Sequence, residues 1–102
     1  EVGKASDGFH LAADLVKYLE DRTIPAEDPT KRVMTFHRPR GVYAVVTPWN
    51  FPVNIPVEYL APGLAAGNAI VWTPAPTTSL AGAMLVETLA EADLPQPGPA
   101  PR

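Results

Sequence analysis

Val42-Tyr43-Ala44-Val45-Val46-Thr47-Pro48-Trp49-Asn50-Phe51-Pro52 and, after a gap, Gly67-Asn68-Ala69-Ile70-Val71-Trp72 decide how this chain folds. Residues 42–47 are nearly continuously apolar and β-rich, the pattern of a strand covered on both faces of a parallel sheet. Pro48 stops that strand by removing a backbone donor. Ala69–Trp72 reads as a second strand of the same kind. A helix is expected to begin between Pro52 and Pro56, where a missing N–H costs little because first-turn donors are unpaired in any helix. It turns Val57, Leu60 and Leu64 inward, tolerates a kink at Pro62 and ends at Gly67-Asn68, a left-handed stop signal. Strand, helix and strand in this order form by default a right-handed parallel crossover.

Outward from this unit, Phe9, Ala12, Ala13, Leu15, Val16 and Leu19 recur at helical spacing, which predicts a helix from Ser6 or Asp7 to about Arg22 with Asp7 as N-cap. Pro25 and Pro29 make 23–30 a connector. Residues 32–37 alternate, with Val33, Thr35 and His37 on one side and Met34 and Phe36 on the other, as a strand does. Downstream, Pro74–Ser79 leads into a helix over about Leu80–Ala92, with Ala81, Leu85, Leu89 and Ala92 on one stripe and Thr78 or Ser79 as cap. The predicted order of helix, strand, strand, helix, strand, helix is an α/β architecture. Pro95-Gln96-Pro97-Gly98-Pro99-Ala100-Pro101-Arg102 can continue neither helix nor sheet and is expected to be a disordered tail. Gly98 stands where a proline-groove ligand would need its second proline.

Composition narrows the function classes. A chain of 102 residues holds one domain with a modest core. The absence of cysteine removes disulfides, thiolate metal sites and a Cys nucleophile. With 8 Lys+Arg against 11 Asp+Glu and scattered positive charge, a nucleic-acid partner is not expected. Apolar runs are too short to span a bilayer and no charged start precedes an apolar core, so the chain is expected to be soluble and cytoplasmic with no membrane partner. His10 and His37 stand alone without a clustered carboxylate, so no metal site is expected. No Ser has a His and an acid at a hydrolase-like spacing.

In open parallel sheets ligands bind beyond the carboxyl ends of strands, here Thr47 to Pro52 and Trp72 to Pro76. Asn50 offers a primary amide with two donors, held between stiff prolines, as an oxyanion site requires. An Asn bonding its own backbone in a turn accounts for the same residue. Trp49 is open to two roles, core packing beneath the loop or contact with a ligand.

Pro48-Trp49-Asn50-Phe51-Pro52, followed by Ala61-Pro62-Gly63-Leu64-Ala65-Ala66-Gly67-Asn68-Ala69-Ile70-Val71, closely resembles the NAD(P)-dependent aldehyde dehydrogenase superfamily. Upstream, Glu1-Val2-Gly3-Lys4 is similar to that family's E-x-G-K stretch, and Arg38-Pro39-Arg40-Gly41-Val42 to its P-x-G-V segment. Glu91-Ala92-Asp93-Leu94-Pro95 resembles its E-A-G-L-P, with Asp93 in place of Gly. The resemblance implies that residues 1–94 are part of a Rossmann-like cofactor domain, with a piece of the oligomerisation segment near 31–38, and that 95–102 is a Pro-rich tail. It also implies that Asn50 donates its amide to the oxyanion formed when a catalytic Cys attacks an aldehyde. Val46, Thr47, Pro48 and Trp49 would line the path of NAD or NADP near its ribose and nicotinamide.

Where the family has a K-P-x-E-like turn for the adenosine ribose, this chain reads Thr73-Pro74-Ala75-Pro76. Thr73, Pro74 and Ala75 thus stand at cofactor-binding positions, but Thr73 replaces the Lys and Pro76 the Glu, which weakens or alters the expected cofactor binding. In the family's pattern the catalytic Cys, the general-base Glu and the glycine-rich cofactor turn all follow the stretch present here. The implied activity is that of a larger parent, a homo-oligomer that oxidises an aldehyde to a carboxylate through a thioester, and these 102 residues alone are expected to be inactive. The alternative is a truncated or decayed relative that serves as a non-catalytic oligomerisation or binding module.

Overall fold

The structure, a computed structural model, describes residues 1–94. Helix α1 (Val2–Leu15) runs into a single 3-10 turn at Val16–Tyr18; β1 (Thr23–Ile24) and β2 (Val33–Met34) follow, then β3 (Val42–Val46), α2 (Asn54–Ala65), β4 (Ala69–Thr73), a 3-10 turn at Pro76–Thr78 and α3 (Ser79–Glu91). β3 and β4 pair in parallel, Val42 opposite Ala69 through Val46 opposite Thr73, with α2 as the connection. The α/β expectation and the strand–helix–strand unit at its centre are therefore present. The expectation for 95–102 lies outside the described residues.

α2 is the element around which the rest is arranged. Pro56, Val57, Leu60, Ala61 and Gly63 are buried along it, because it meets α1 on one side and the β3–β4 pair on another. A helix apolar on more than one face is what such a position requires. Ala5 and Ala12 of α1 join Val57 and Ala61 in one buried cluster, with Phe9, Val53, Ala65 and Leu85 packed against it. The approach of α1 is close: a Cβ on Gly8 would lie 2.9 Å from Val57 Cγ1. On the sheet side, Tyr43 occupies the space where a side chain on Gly63 would begin, and its hydroxyl donates to the Tyr59 carbonyl at 3.0 Å. Burial raises the Tyr43 phenol above its ordinary value, so it stays a neutral donor.

Pro56 falls in the first turn of α2, where it displaces no bond, and Pro62 lies on the exposed side. The helix ends as its sequence predicts. Gly67 takes φ +82°, its N–H bonds to Leu64 O at 2.9 Å, and Asn68 N–H bonds to Gly63 O at 3.1 Å, a Schellman closure. Asn68 goes beyond stopping the helix. Its Oδ1 accepts the Arg40 and Gly41 N–H groups at 2.6 and 3.2 Å, and its Nδ2 donates to Gly63 O at 3.1 Å. That one amide ties the end of α2 to the start of β3. Asp93 likewise adopts a left-handed conformation after α3, at φ 57°.

Four expectations are corrected. α1 begins at Val2 rather than Ser6 or Asp7, because Ala5 extends the buried stripe one turn back and leaves Asp7 exposed inside the helix. It also ends before Arg22, since Arg22 O takes the Thr35 N–H at 2.8 Å and β1 forms inside the predicted connector, antiparallel to β2. Thr78 and Ser79 do not cap α3: their hydroxyls donate back to Ala75 O and Pro76 O at 3.2 and 3.0 Å. Finally, the β3–β4 pair is covered on one face. Tyr43, Val45, Thr47, Ile70 and Trp72 are buried or half-buried, whereas Val42, Ala44, Val46, Val71 and Thr73 face away and are exposed. Among the described residues no helix is long and apolar enough to cross a membrane.

Candidate functional site

Parallel pairing brings the two predicted segments side by side. Val46 is opposite Thr73 at the last rung, and one more bond, from Thr47 N–H to Thr73 O at 3.2 Å, carries the ladder past the end of the sheet. Beyond it the chain leaves β3 as Pro48–Pro52 and leaves β4 as Pro74–Pro76. The two loops share the carboxyl edge, where the topology of such sheets places ligands.

Within that edge the candidate residues fall into two groups. Thr47 is buried, and its Oγ1 accepts the Trp72 indole N–H at 2.9 Å. That bond fastens one strand end to the other at the base of the site. Pro74 and Ala75 are half-buried, Pro74 under α3, where Gly82 lets the helix come so near that a Cβ would lie 3.0 Å from Pro74 Cγ. Pro76 opens the 3-10 turn, where a proline costs no hydrogen bond.

The second group is presented to solvent. Val46, Pro48, Trp49, Asn50 and Thr73 are all exposed, Trp49 at 67%. Among the described residues Trp49 is therefore not packed into a core. The Asn50 side chain is exposed, and the backbone hydrogen bonds flanking the loop are made by its neighbours, Thr47 at one end and Phe51, whose carbonyl accepts Ile55 N–H at 3.2 Å, at the other. An apolar wall (Val46, Trp49), a hydroxyl (Thr73) and an amide with two donors (Asn50) therefore line an open edge. Such a set offers an apolar surface and hydrogen-bonding groups to a ligand of mixed polarity.

Glu1 carries a role that the sequence reading missed. Its Oε1 accepts the Val53 and Asn54 N–H groups at 2.9 and 3.0 Å, which places a carboxylate on the first turn of α2, directly after the Asn50 loop. These two backbone bonds lower its pKa below the ordinary value. The E-x-G-K match was the available signal, but a contact across 52 residues has no local signature. His37 is also not alone: its N–H and Nδ1 both lie against Asp21 Oδ1, at 2.8 and 3.1 Å. The pair ties 37 back to 21 well away from the strand ends, and among the described residues no group of three or more His, Cys, Asp or Glu could hold a metal.

The model of the aldehyde dehydrogenase family matches residues 1–97. The 2,5-dioxopentanoate dehydrogenase of Saccharolobus solfataricus is 51% identical over 96 residues, which are 94% of this chain and 20% of that protein. Among solved structures, a 3,6-anhydro-L-galactose dehydrogenase superposes with a TM-score of 0.84 at 29% identity, over 90% of this chain and 19% of that one. The glyceraldehyde-3-phosphate dehydrogenase of Methanocaldococcus jannaschii, complexed with NADP, gives 0.74 at 34% identity, over 92% and 21%. The chain spans about one fifth of the length of these relatives. With the family model matching nearly its whole length, this chain belongs to the aldehyde dehydrogenase family.

Proposed function

We propose that this chain supplies the oxyanion amide and part of the cofactor edge of an enzyme that oxidises an aldehyde to a carboxylate with NAD or NADP. The observation that carries the reading is Asn50, exposed in a proline-bounded loop at the carboxyl edge of a parallel pair. Its amide would donate to the oxygen that gains charge when a thiolate, contributed from beyond these residues, adds to the aldehyde. Val46 and Trp49 would pack against the nicotinamide and its ribose, and Thr73 would bond one hydroxyl of the adenosine ribose. Bound there, the nicotinamide supplies a hydride acceptor. Thr47, Pro48, Pro74 and Ala75 shape the edge, Thr47 through its bond to Trp72.

The 51% identity to a 2,5-dioxopentanoate dehydrogenase supports a short oxo-acid aldehyde as the substrate. The exposed β1–β2 arm and the 31–38 segment would serve contacts between subunits of a homo-oligomer. For the 102 residues alone, which contain no Cys, no aldehyde-dependent NAD(P)H formation is expected.

A chimera tests the assignment, with residues 1–94 replacing the matching segment of the S. solfataricus enzyme. Asn50→Ala should lower aldehyde-dependent NAD(P)H formation by about 10²–10³-fold, the loss typical of one oxyanion donor. Wild-type turnover in a folded variant would overturn it. Thr73 and Pro76, which replace the charged ribose-binding residues, favour a second reading, a non-catalytic module. Titration calorimetry of the chimera with NAD and with NADP separates the two, since no binding of either leaves only the module.

A further inference from the structure

The Pro48–Pro52 loop has no ladder of its own, so Asn50 must be held from the loop's two ends. At the first end, the buried Thr47 is bonded to Trp72. At the second, α2 begins without a local cap: its N-cap residue is Val53, which has no side-chain oxygen. Helix first-turn donors need an acceptor, and an Asp, Ser or Thr usually supplies it from the N-cap position. Here the acceptor comes from 52 residues upstream, where Glu1 Oε1 takes both Val53 N–H and Asn54 N–H.

Three features make this more than a surface contact. Both bonds are charge-assisted, and the carboxylate sits at the positive end of the α2 dipole. Glu1 is itself anchored, because its carbonyl accepts Ala5 N–H at 3.1 Å and so starts α1, the helix packed along α2. Glu1, Phe51 and Asn54 also line one shallow recess, so Glu1 and the residue that follows Asn50 face the same space.

We propose that Glu1 is a positioning residue for Asn50: by holding the first turn of α2 it sets the exit of the Pro48–Pro52 loop and hence where the amide points. The inference rests on the assignment of Asn50 as oxyanion donor. The reach is short, with Asn50 three residues from Val53. Misplacement of a reacting group by about 1 Å can cost 10²-fold in rate, so a small turn of this helix end would register in catalysis.

The chimera described above provides the test. Glu1→Ala should lower kcat by roughly ten- to a hundredfold while KM for NADP moves less than about twofold. Glu1→Gln, which keeps an oxygen acceptor and loses the charge, should recover part of the loss. In an Asn50→Ala background Glu1→Ala should have almost no further effect on kcat. A kcat for Glu1→Ala equal to wild type, or the same fold loss in both backgrounds, overturns the inference and leaves Asn50 in place. An Asn50→Ala variant with wild-type turnover overturns the assignment of Asn50 and the role of Glu1 with it. Amide hydrogen exchange in the 102-residue chain gives a readout independent of activity. Glu1→Ala should remove protection at Val53 and Asn54 and keep it at Ala61 to Ala65, and unchanged protection at 53 and 54 overturns the contact.

Discussion

Val45 and Val46 are neighbours of one type in one strand, yet Val45 is 6% exposed and Val46 is 77% exposed. The same division runs through the whole pair: Tyr43, Val45, Ile70 and Trp72 lie toward the helices, and Val42, Ala44, Val46 and Val71 lie away from them. Side chains alternate across a strand, so a continuous apolar run always supplies two faces, and each needs its own cover. Among the described residues only one face has it. An apolar run therefore reports how much cover a strand is suited to. How much it receives depends on the elements beside it.

If the covered face carries the stability, Leu60→Ala should be among the most damaging changes in the 102-residue chain. Leu60 is buried on α2, and its loss should cost about 2–5 kcal/mol in chemical denaturation. A cost below about 1 kcal/mol would mean that the covered side is no better packed than the bare one. Trp72→Phe keeps an aromatic side chain but removes the donor to the buried Thr47 hydroxyl together with part of the indole's packing, an expected loss of at least about 1–2 kcal/mol. The emission of the remaining tryptophan, Trp49, should stay that of an exposed indole, because Trp49 takes no part in the bond.

The arm at 21–37 offers a smaller effect of a different origin. Asp21 has its pKa lowered by the His37 backbone N–H first and by the His37 ring second. A carboxylate with a lowered folded pKa contributes stability that is present above its ordinary value of 3.8 and is lost as pH falls through the lowered one. Protection of the His37 amide, corrected for intrinsic exchange, should hold from neutral pH to about 4 and fall in stronger acid. Asp21→Asn should remove that dependence. Least affected should be the bare face: Val42→Thr, at a position 68% exposed, should change stability by no more than about 0.5 kcal/mol. In a longer protein that covers this face the same hydroxyl would be buried, and the cost should rise to about 1–3 kcal/mol.

Much of the centre of the fold is legible in the residues. Pro48 ends a strand, Pro56 falls where a helix has donors to spare, and Gly67 and Asp93 take the left-handed stops at which their helices finish. These are local matters of φ, sterics and missing donors. The carboxyl-edge location of Asn50 is legible too, because it follows from the order of strand, loop and helix. Less legible were the start of α1, where a helix period cannot say how many turns the neighbouring helix covers, and β1, whose two residues have meaning only opposite β2.

By itself the sequence determined the family, the strand–helix–strand order and the edge at which Asn50 stands, since each is written in runs and spacings of a few residues. Only the tertiary structure decided which face of the sheet is covered, that Thr47 is spent on Trp72, that Asn68 ties α2 to β3, and that Glu1 reaches the first turn of α2. Those are contacts between groups 25 to 53 residues apart, and nothing local encodes them. They arise when packing brings a donor left over by one element against an acceptor left over by another.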